Sequence, residues 1–175
     1  MENTIEIHDL GFVKLLDVMG DDQEVENAAR ISYGEGTRKV SQTRNLIRYL
    51  MRHKHTSPFE MCEVKFHLKL PIFIMRQLVR HRTANLNEYS GRYSVMSNEY
   101  YLPQADYLQK QSTTNNQGRN EVLPNKGSLH FEFNRVYDTA QITYENLLEE
   151  DLARELSRIV LPVANYTECI WKIDL

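Results

Sequence analysis

Residues 63–71, EVKFHLKLP, alternate strictly between apolar and polar side chains. Val64, Phe66, Leu68 and Leu70 stand against Glu63, Lys65, His67 and Lys69. A period of two predicts a strand with one face buried and the other wet. Pro71 ends it and suits the first turn of a helix, which IFIMRQLVRHR continues. On that helix Gln77, Arg80 and His81 are spaced i, i+3, i+4 and share a face. Ile74, Leu78 and Val79 lie on other faces, available to hold the helix in the core. Residues 83–94, TANLNEYSGRYS, then leave it as a loop with Gly91 at a turn.

Upstream, residues 5–20 (IEIHDLGFVKLLDVMG) open as a short strand and turn. Residues 21–32 read as a helix capped by Asp21 or Asp22, with Val25, Ala28 and Ala29 on one side. GEGT at 34–37 breaks the pattern. Ser41 is placed to cap a second helix, on which Leu46, Ile47, Leu50 and Met51 recur at helical spacing until RHKHTS ends it. Downstream, the polar residues 102–128, punctuated by proline and glycine, read as a surface loop. A long helix follows from about Ser128 to Glu150, with Phe133, Val136, Tyr137, Ala140, Tyr144, Leu147 and Leu148 as its apolar stripe. Residues 151–171 read as another helix that Pro162 kinks or ends.

At 175 residues the chain is long enough for one domain, 1–175, with a real core. Its net charge of -3 argues against bulk electrostatic binding to nucleic acid, and no apolar run reaches the length of a membrane span. MENTIEIHDL lacks a basic start followed by an apolar stretch, so the expected location is the cytoplasm. Cys62 and Cys169 form neither a disulfide framework nor a closely spaced metal motif, and read as reduced, buried thiols.

Against that acidic balance, residues 80–93 (RHRTANLNEYSGRY) concentrate cations and hydrogen-bonding groups. Arg80, Arg82 and Arg92 offer planar forks for phosphate or carboxylate. Asn87 and Glu88 offer the mixed edges that read a heterocycle. Ser90, the N–H of Gly91 and Arg92 suit a single phosphate held in a turn. The plain alternative is a solvated basic loop.

HKHTSPFE at 53–60 holds a Ser57–Glu60 capping box with Pro58 at the first helical position. It reads as a helix start, and such a start also presents N–H groups to an anion. His55 beside it is placed to contact a ring or donate a proton. His53 and His55 alone make no zinc site. In ARELSRIVLP, Arg154 and Arg158 flank Glu155 at i, i+4, the pattern of a helix-surface ion-pair ladder. Arg158, next to an apolar run, is the arginine that wants an anion.

RHRTANLNEYS has the form R-H-R, seven residues, then S. It strongly resembles the signature of flavin-dependent thymidylate synthases. HTSPFE and KLPIFIMRQLVRHR before it, GRYS after it, and ARELSRIVLP with YTE and WKI near the end stand in that family's order, so the likeness runs from about Gly11 to the last residue. The resemblance implies an α+β fold with a central antiparallel sheet flanked by helices. It also implies methylation of dUMP to dTMP, with methylenetetrahydrofolate as carbon donor, FAD as hydride carrier and NADPH as reductant. A homotetramer with active sites between subunits is the implied assembly.

By matching position, Ser32, His55, Ser57, Glu60, Arg80, His81, Thr83, Asn87 and Glu88 are implied to bind FAD or shape its pocket. Gln77, Arg80, Glu88, Tyr89, Ser90, Gly91, Arg92 and Arg158 are implied to bind dUMP. Ser90, Gly91 and Arg92 would hold the phosphate, while Arg158 and Arg80 would stabilise the ring oxygen as it gains charge. His55 would lie near flavin and folate, and Ser90 is a minor candidate nucleophile. The family continues past WKID with a helical segment that adds FAD and dUMP contacts, and this sequence ends at Leu175. A second expectation is therefore a shortened, catalytically impaired relative that keeps the fold and weak nucleotide or flavin binding. A nucleic-acid module built on Arg80, Arg82 and Arg92 is disfavoured by the net charge.

Overall fold

The computed structural model describes residues 3–32 and 43–175, so the GEGT break and the Ser41 cap lie outside the described residues. A five-stranded sheet runs in the order β1-β2-β3-β7-β4. Strands β1 (Thr4–Ile7) and β2 (Gly11–Met19) form an antiparallel hairpin, and β2 pairs antiparallel with β3 (Glu63–Pro71). Strand β4 (Asn85–Glu88) pairs antiparallel with β7 (Tyr166–Asp174), setting Asn87 opposite Ile170 and Glu88 opposite Cys169. Glu63 meets Lys172, and His67 meets Glu168 at 2.7 Å. These pairs run in opposite senses along β3 and β7, which are therefore antiparallel too.

The chain divides into two compact units. One holds Met1–Lys69, Arg76–Glu88 and Glu168–Leu175; the other holds Leu70–Met75 and Tyr89–Thr167. In the first, helices α1 (Asp22–Arg30) and α2 (Thr43–Arg52) close a small core of Val25, Ala29, Leu50 and Cys62, with Leu46, Ile47 and Phe59 against it. Asp21 caps α1, its carboxylate accepting the Gln23 and Glu24 N–H groups. Met51, placed on the α2 apolar face by its spacing, is exposed.

The second unit is organised by α4 (Lys126–Glu149), whose Tyr144 and Gln141 are buried. Val136, assigned to that helix's apolar stripe by spacing, is exposed. Residues 102–128 are more ordered than a plain loop. They include a 3-10 turn at Ala105–Tyr107 and an antiparallel hairpin of β5 (Gln109–Gln111) and β6 (Arg119–Val122).

Three elements near the motif differ from the sequence reading. Helix α3 (Ile72–Leu78) stops early: Arg80 N–H donates to the Gln77 carbonyl and His81 N–H to Leu78, so the chain tightens into a turn. Arg80 and His81 therefore do not share a helical face with Gln77. Ile74 and Val79, expected in the core, are exposed, and Met75 is the buried residue. The expected loop at 83–94 contains β4, because β7 offers it a ladder that spacing alone could not announce. After Pro162 the chain is strand, not helix. Only α5 (Arg154–Ser157) and the 3-10 turn Arg158–Val160 precede the break, and Tyr166–Asp174 extend as β7.

Candidate functional site

The candidate residues fall into two groups, one in each unit. In the first unit, α2 ends in a left-handed residue, Lys54 at φ 55°, and His55 N–H donates to the Leu50 carbonyl at 3.0 Å. This closes the helix in the Schellman manner. It also turns the His55 ring onto Tyr49, with centroids 6.2 Å apart and planes within 18°. His53 lies 4.2 Å from the same tyrosine ring.

The capping box at Ser57 is not formed. Phe59–Met61 make a single 3-10 turn after Pro58, with no side-chain cap, and the Phe59 N–H donates to the Thr56 carbonyl at 2.8 Å. A turn this short leaves no helix N-terminus to hold an anion. Ser57 and Glu60 stay exposed, as does Ser32 just after α1.

Gln77, Arg80, His81 and Thr83 all face solvent on the way from α3 to β4. His81 stands edge-on to Trp171 at 6.2 Å, which fixes the turn against β7. Asn87 and Glu88 lie on β4, at the edge of the sheet, and are exposed. Beneath them Cys169 is buried. Desolvation first, then the nearby Glu88 charge, push its thiol up to about 11. Burial also raises the Cys62 thiol. Neither sulfur is a ready nucleophile near neutrality.

In the second unit, residues 89–96 form a tight knot. The Tyr89 hydroxyl donates to the Val95 carbonyl at 2.9 Å, and the Ser90 carbonyl accepts the Tyr93 and Ser94 N–H groups. The Ser90 hydroxyl accepts the Arg92 N–H at 3.3 Å, so it shapes its own turn. Gly91 is buried. A Cβ there would come within 2.9 Å of Met96 Sδ and 3.1 Å of Arg158 Cδ, so the glycine lets the Arg158 stem cross the turn. Arg92 donates through Nε to Glu155 at 3.1 Å. Arg154 reaches the Tyr93 carbonyl. The structure thus brings Gly91, Arg92 and Arg158 together.

The ladder expected among Arg154, Glu155 and Arg158 is replaced by this link across α5. Sequence reasoning had no handle on Glu155 as partner of Arg92, since 63 positions separate them. It also missed Tyr144, whose hydroxyl accepts the Met96 N–H at 3.0 Å, and Asn165, whose amide donates to the Ser97 and Glu99 carbonyls. Tyr144 carried one signal, a hydroxyl inside an apolar stripe; Asn165 carried none.

Residues 14–175 match the family model of thymidylate synthase complementing protein. The chain is 55% identical over 169 residues to a flavin-dependent thymidylate synthase of Ehrlichia ruminantium (strain Gardel), a match covering 95% of this chain and 57% of that protein. It is 50% identical over 180 residues to a flavin-dependent thymidylate synthase of Dictyostelium discoideum, covering 98% and 59%. The chain thus spans about three fifths of the length of these curated relatives. Among solved structures it resembles the UMP/dUMP methylase PolB from Streptomyces cacaoi bound with 5-Br dUMP. That match has a TM-score of 0.84 at 33% identity and covers 97% of this chain and 76% of the other.

Proposed function

This chain belongs to the thymidylate synthase complementing protein family, and we propose that it carries most of a flavin-dependent thymidylate synthase that methylates dUMP to dTMP. Methylenetetrahydrofolate is the carbon donor, FAD the hydride carrier and NADPH the reductant. The observation that carries this reading is the knot at residues 89–96. There Gly91 is kept free of a side chain so that Arg158 can lie across the turn that bears Ser90 and Arg92. Two guanidinium groups and a serine turn suit a nucleoside monophosphate.

The residues of the first unit fit a flavin dinucleotide by their donor chemistry. Arg80 and Arg82 are exposed and form no ion pair among the described residues, which leaves them available to a pyrophosphate. Thr83, Asn87 and Glu88 add hydroxyl, amide and carboxylate groups beside them. Bound there, the flavin supplies the hydride of the reaction. The protein's own part is placement and charge. Arg92 and the Ser90–Gly91 turn hold the phosphate, and Arg158 stabilises negative charge on the uracil ring. His55, stacked on Tyr49, orients the ring of the folate. Neither cysteine is needed as a nucleophile, in keeping with their raised thiol values.

Assembly as a homotetramer is part of the proposal. Each unit exposes apolar side chains that an assembly would cover: Ile5, Ile7 and Val18 on the β1–β2 hairpin, and Phe131, Val136 and Ile142 on α4.

The test is a visible spectrum of the protein after mixing with FAD and dUMP and removing free ligand. Retained flavin that NADPH bleaches, with dTMP formed on adding methylenetetrahydrofolate, supports the reading. A folded, colourless protein favours a second reading, an impaired relative that keeps the fold.

A further inference from the structure

Helix α2 carries Arg44, Arg48 and Arg52 four residues apart, all exposed, and has no acidic residue. The row extends over about 12 Å of helix axis. Like charges at i, i+4 repel, so the helix is locally disfavoured by its own pattern. Elsewhere the surface neutralises such groups: Arg30, Arg92 and Arg135 each meet a carboxylate. None of the α2 arginines forms an ion pair among the described residues, and only Arg52 finds an acceptor, the Arg48 carbonyl at 3.2 Å. Bordering the row is an aromatic platform of Tyr49 and His53, with His55 stacked beyond it.

An uncompensated arginine row beside a ring platform suits a ligand with a planar aromatic body and a short chain of carboxylates. We infer that α2 is the docking surface for the glutamate tail of the folate substrate, with Arg44, Arg48 and Arg52 gripping successive carboxylates of a γ-linked oligoglutamate. The inference rests on the folate-using reading above and adds a preference for tail length. Nucleic acid fits less well: the row is short, and the net charge of -3 opposes a long polyanion.

The test is calorimetric binding of folic acid and of its γ-linked pentaglutamate to the purified protein and to R44Q/R48Q, at low and high salt. Circular dichroism confirms the variant's helices, and R44K/R48K serves as a charge-preserving control. The pentaglutamate is expected to bind about tenfold tighter than the monoglutamate, a modest sum for three exposed ion pairs. That margin should shrink with salt, vanish in R44Q/R48Q and persist in R44K/R48K, with monoglutamate affinity unchanged. Equal binding of the two forms overturns the inference and leaves the folate-using reading intact. If neither form binds, that reading fails, and a free γ-linked pentaglutamate peptide decides the surface. Its binding, lost in R44Q/R48Q, supports the α2 site, and no binding overturns it. A short RNA that displaces the peptide more effectively than the peptide displaces itself also overturns it.

Discussion

Arg92 donates through Nε to the Glu155 carboxylate at 3.1 Å, joining the turn after Ser90 to the short helix that leads into Arg158. Both side chains are more than half exposed, so the bond contributes little to stability, on the order of 0–1 kcal/mol. Its consequence is positional: it engages Arg92 through Nε and so orients the guanidinium proposed to hold the phosphate. Glu155→Gln is expected to leave the melting temperature nearly unchanged and to weaken dUMP binding by about three- to tenfold. Calorimetric titration with dUMP checks this. Unchanged affinity would mean that Arg92 needs no aiming.

Gly91→Ala puts a methyl group 2.9 Å from Met96 Sδ and 3.1 Å from Arg158 Cδ. Both neighbours are flexible, so they move rather than block the fold. The expected loss is about 1–2 kcal/mol of stability, in the range of modest overpacking. The displaced Arg158 should weaken nucleotide binding at the same time. Adding Met96→Ala removes the closer obstacle and should relieve part of the strain while leaving Arg158 displaced. Urea denaturation of the single and double variants, paired with dUMP titration, separates the two effects.

Much of this arrangement was legible in the amino-acid sequence, and the rest was hidden for identifiable reasons. The alternation at 63–70 announced β3, and Asp21 announced the start of α1, because both signals are local. Gly91 was visible as a turn, but its need for a bare Cα comes from Met96 and Arg158, which only the fold brings near. Strand β4 has a single apolar residue, Leu86, and is exposed along its length, so its strand character lies in the ladder to β7 rather than in its own side chains. The same holds for residues after Pro162: their apolar run suits helix or strand equally, and pairing decides. At Ser57 the S-x-x-E spacing was correct, but Cys62 leads directly into β3 and leaves no room for a helix to follow.

The Cys169 thiol, held up to about 11 by burial and by Glu88, makes stability depend on alkaline pH. The unfolded chain releases this proton near the ordinary thiol value of 9.0 while the folded chain keeps it. Above that value the unfolded state binds fewer protons, so unfolding becomes more favourable as pH rises. The contribution is present in full below the unfolded value and is lost as pH climbs toward the folded one. Urea midpoints measured from about pH 8 to about pH 10.5 should fall in the wild type. They should fall less steeply in Cys169→Ala. Parallel slopes would place the titrating group elsewhere.

Lys54 adopts φ 55° where α2 closes onto His55. A side chain in this left-handed conformation costs about 1 kcal/mol, which glycine avoids. Glycine also gains freedom in the unfolded chain, which offsets part of the benefit. Lys54→Gly is therefore expected to raise the melting temperature by a few degrees at most, about 0.5 kcal/mol. A calorimetric scan measures it, and a lower melting temperature would show that the lysine stem contributes packing of its own.

Tyr144 is fully buried on α4, and its hydroxyl accepts the Met96 N–H at 3.0 Å. Met96 is the residue that packs on Gly91, so one phenolic oxygen on the long helix fixes the height of the 89–96 turn. Tyr144→Phe keeps the ring and its packing but leaves the Met96 N–H buried without a partner, at a cost of about 1–3 kcal/mol. Relief of that cost requires the 89–96 segment to move until water reaches the amide. The expected result is lower stability together with faster amide exchange at Met96 and weaker dUMP binding. Stability loss with unchanged exchange and unchanged binding would mean that the turn is held by its own hydrogen bonds, those of Ser90 and Tyr89, and not by the helix.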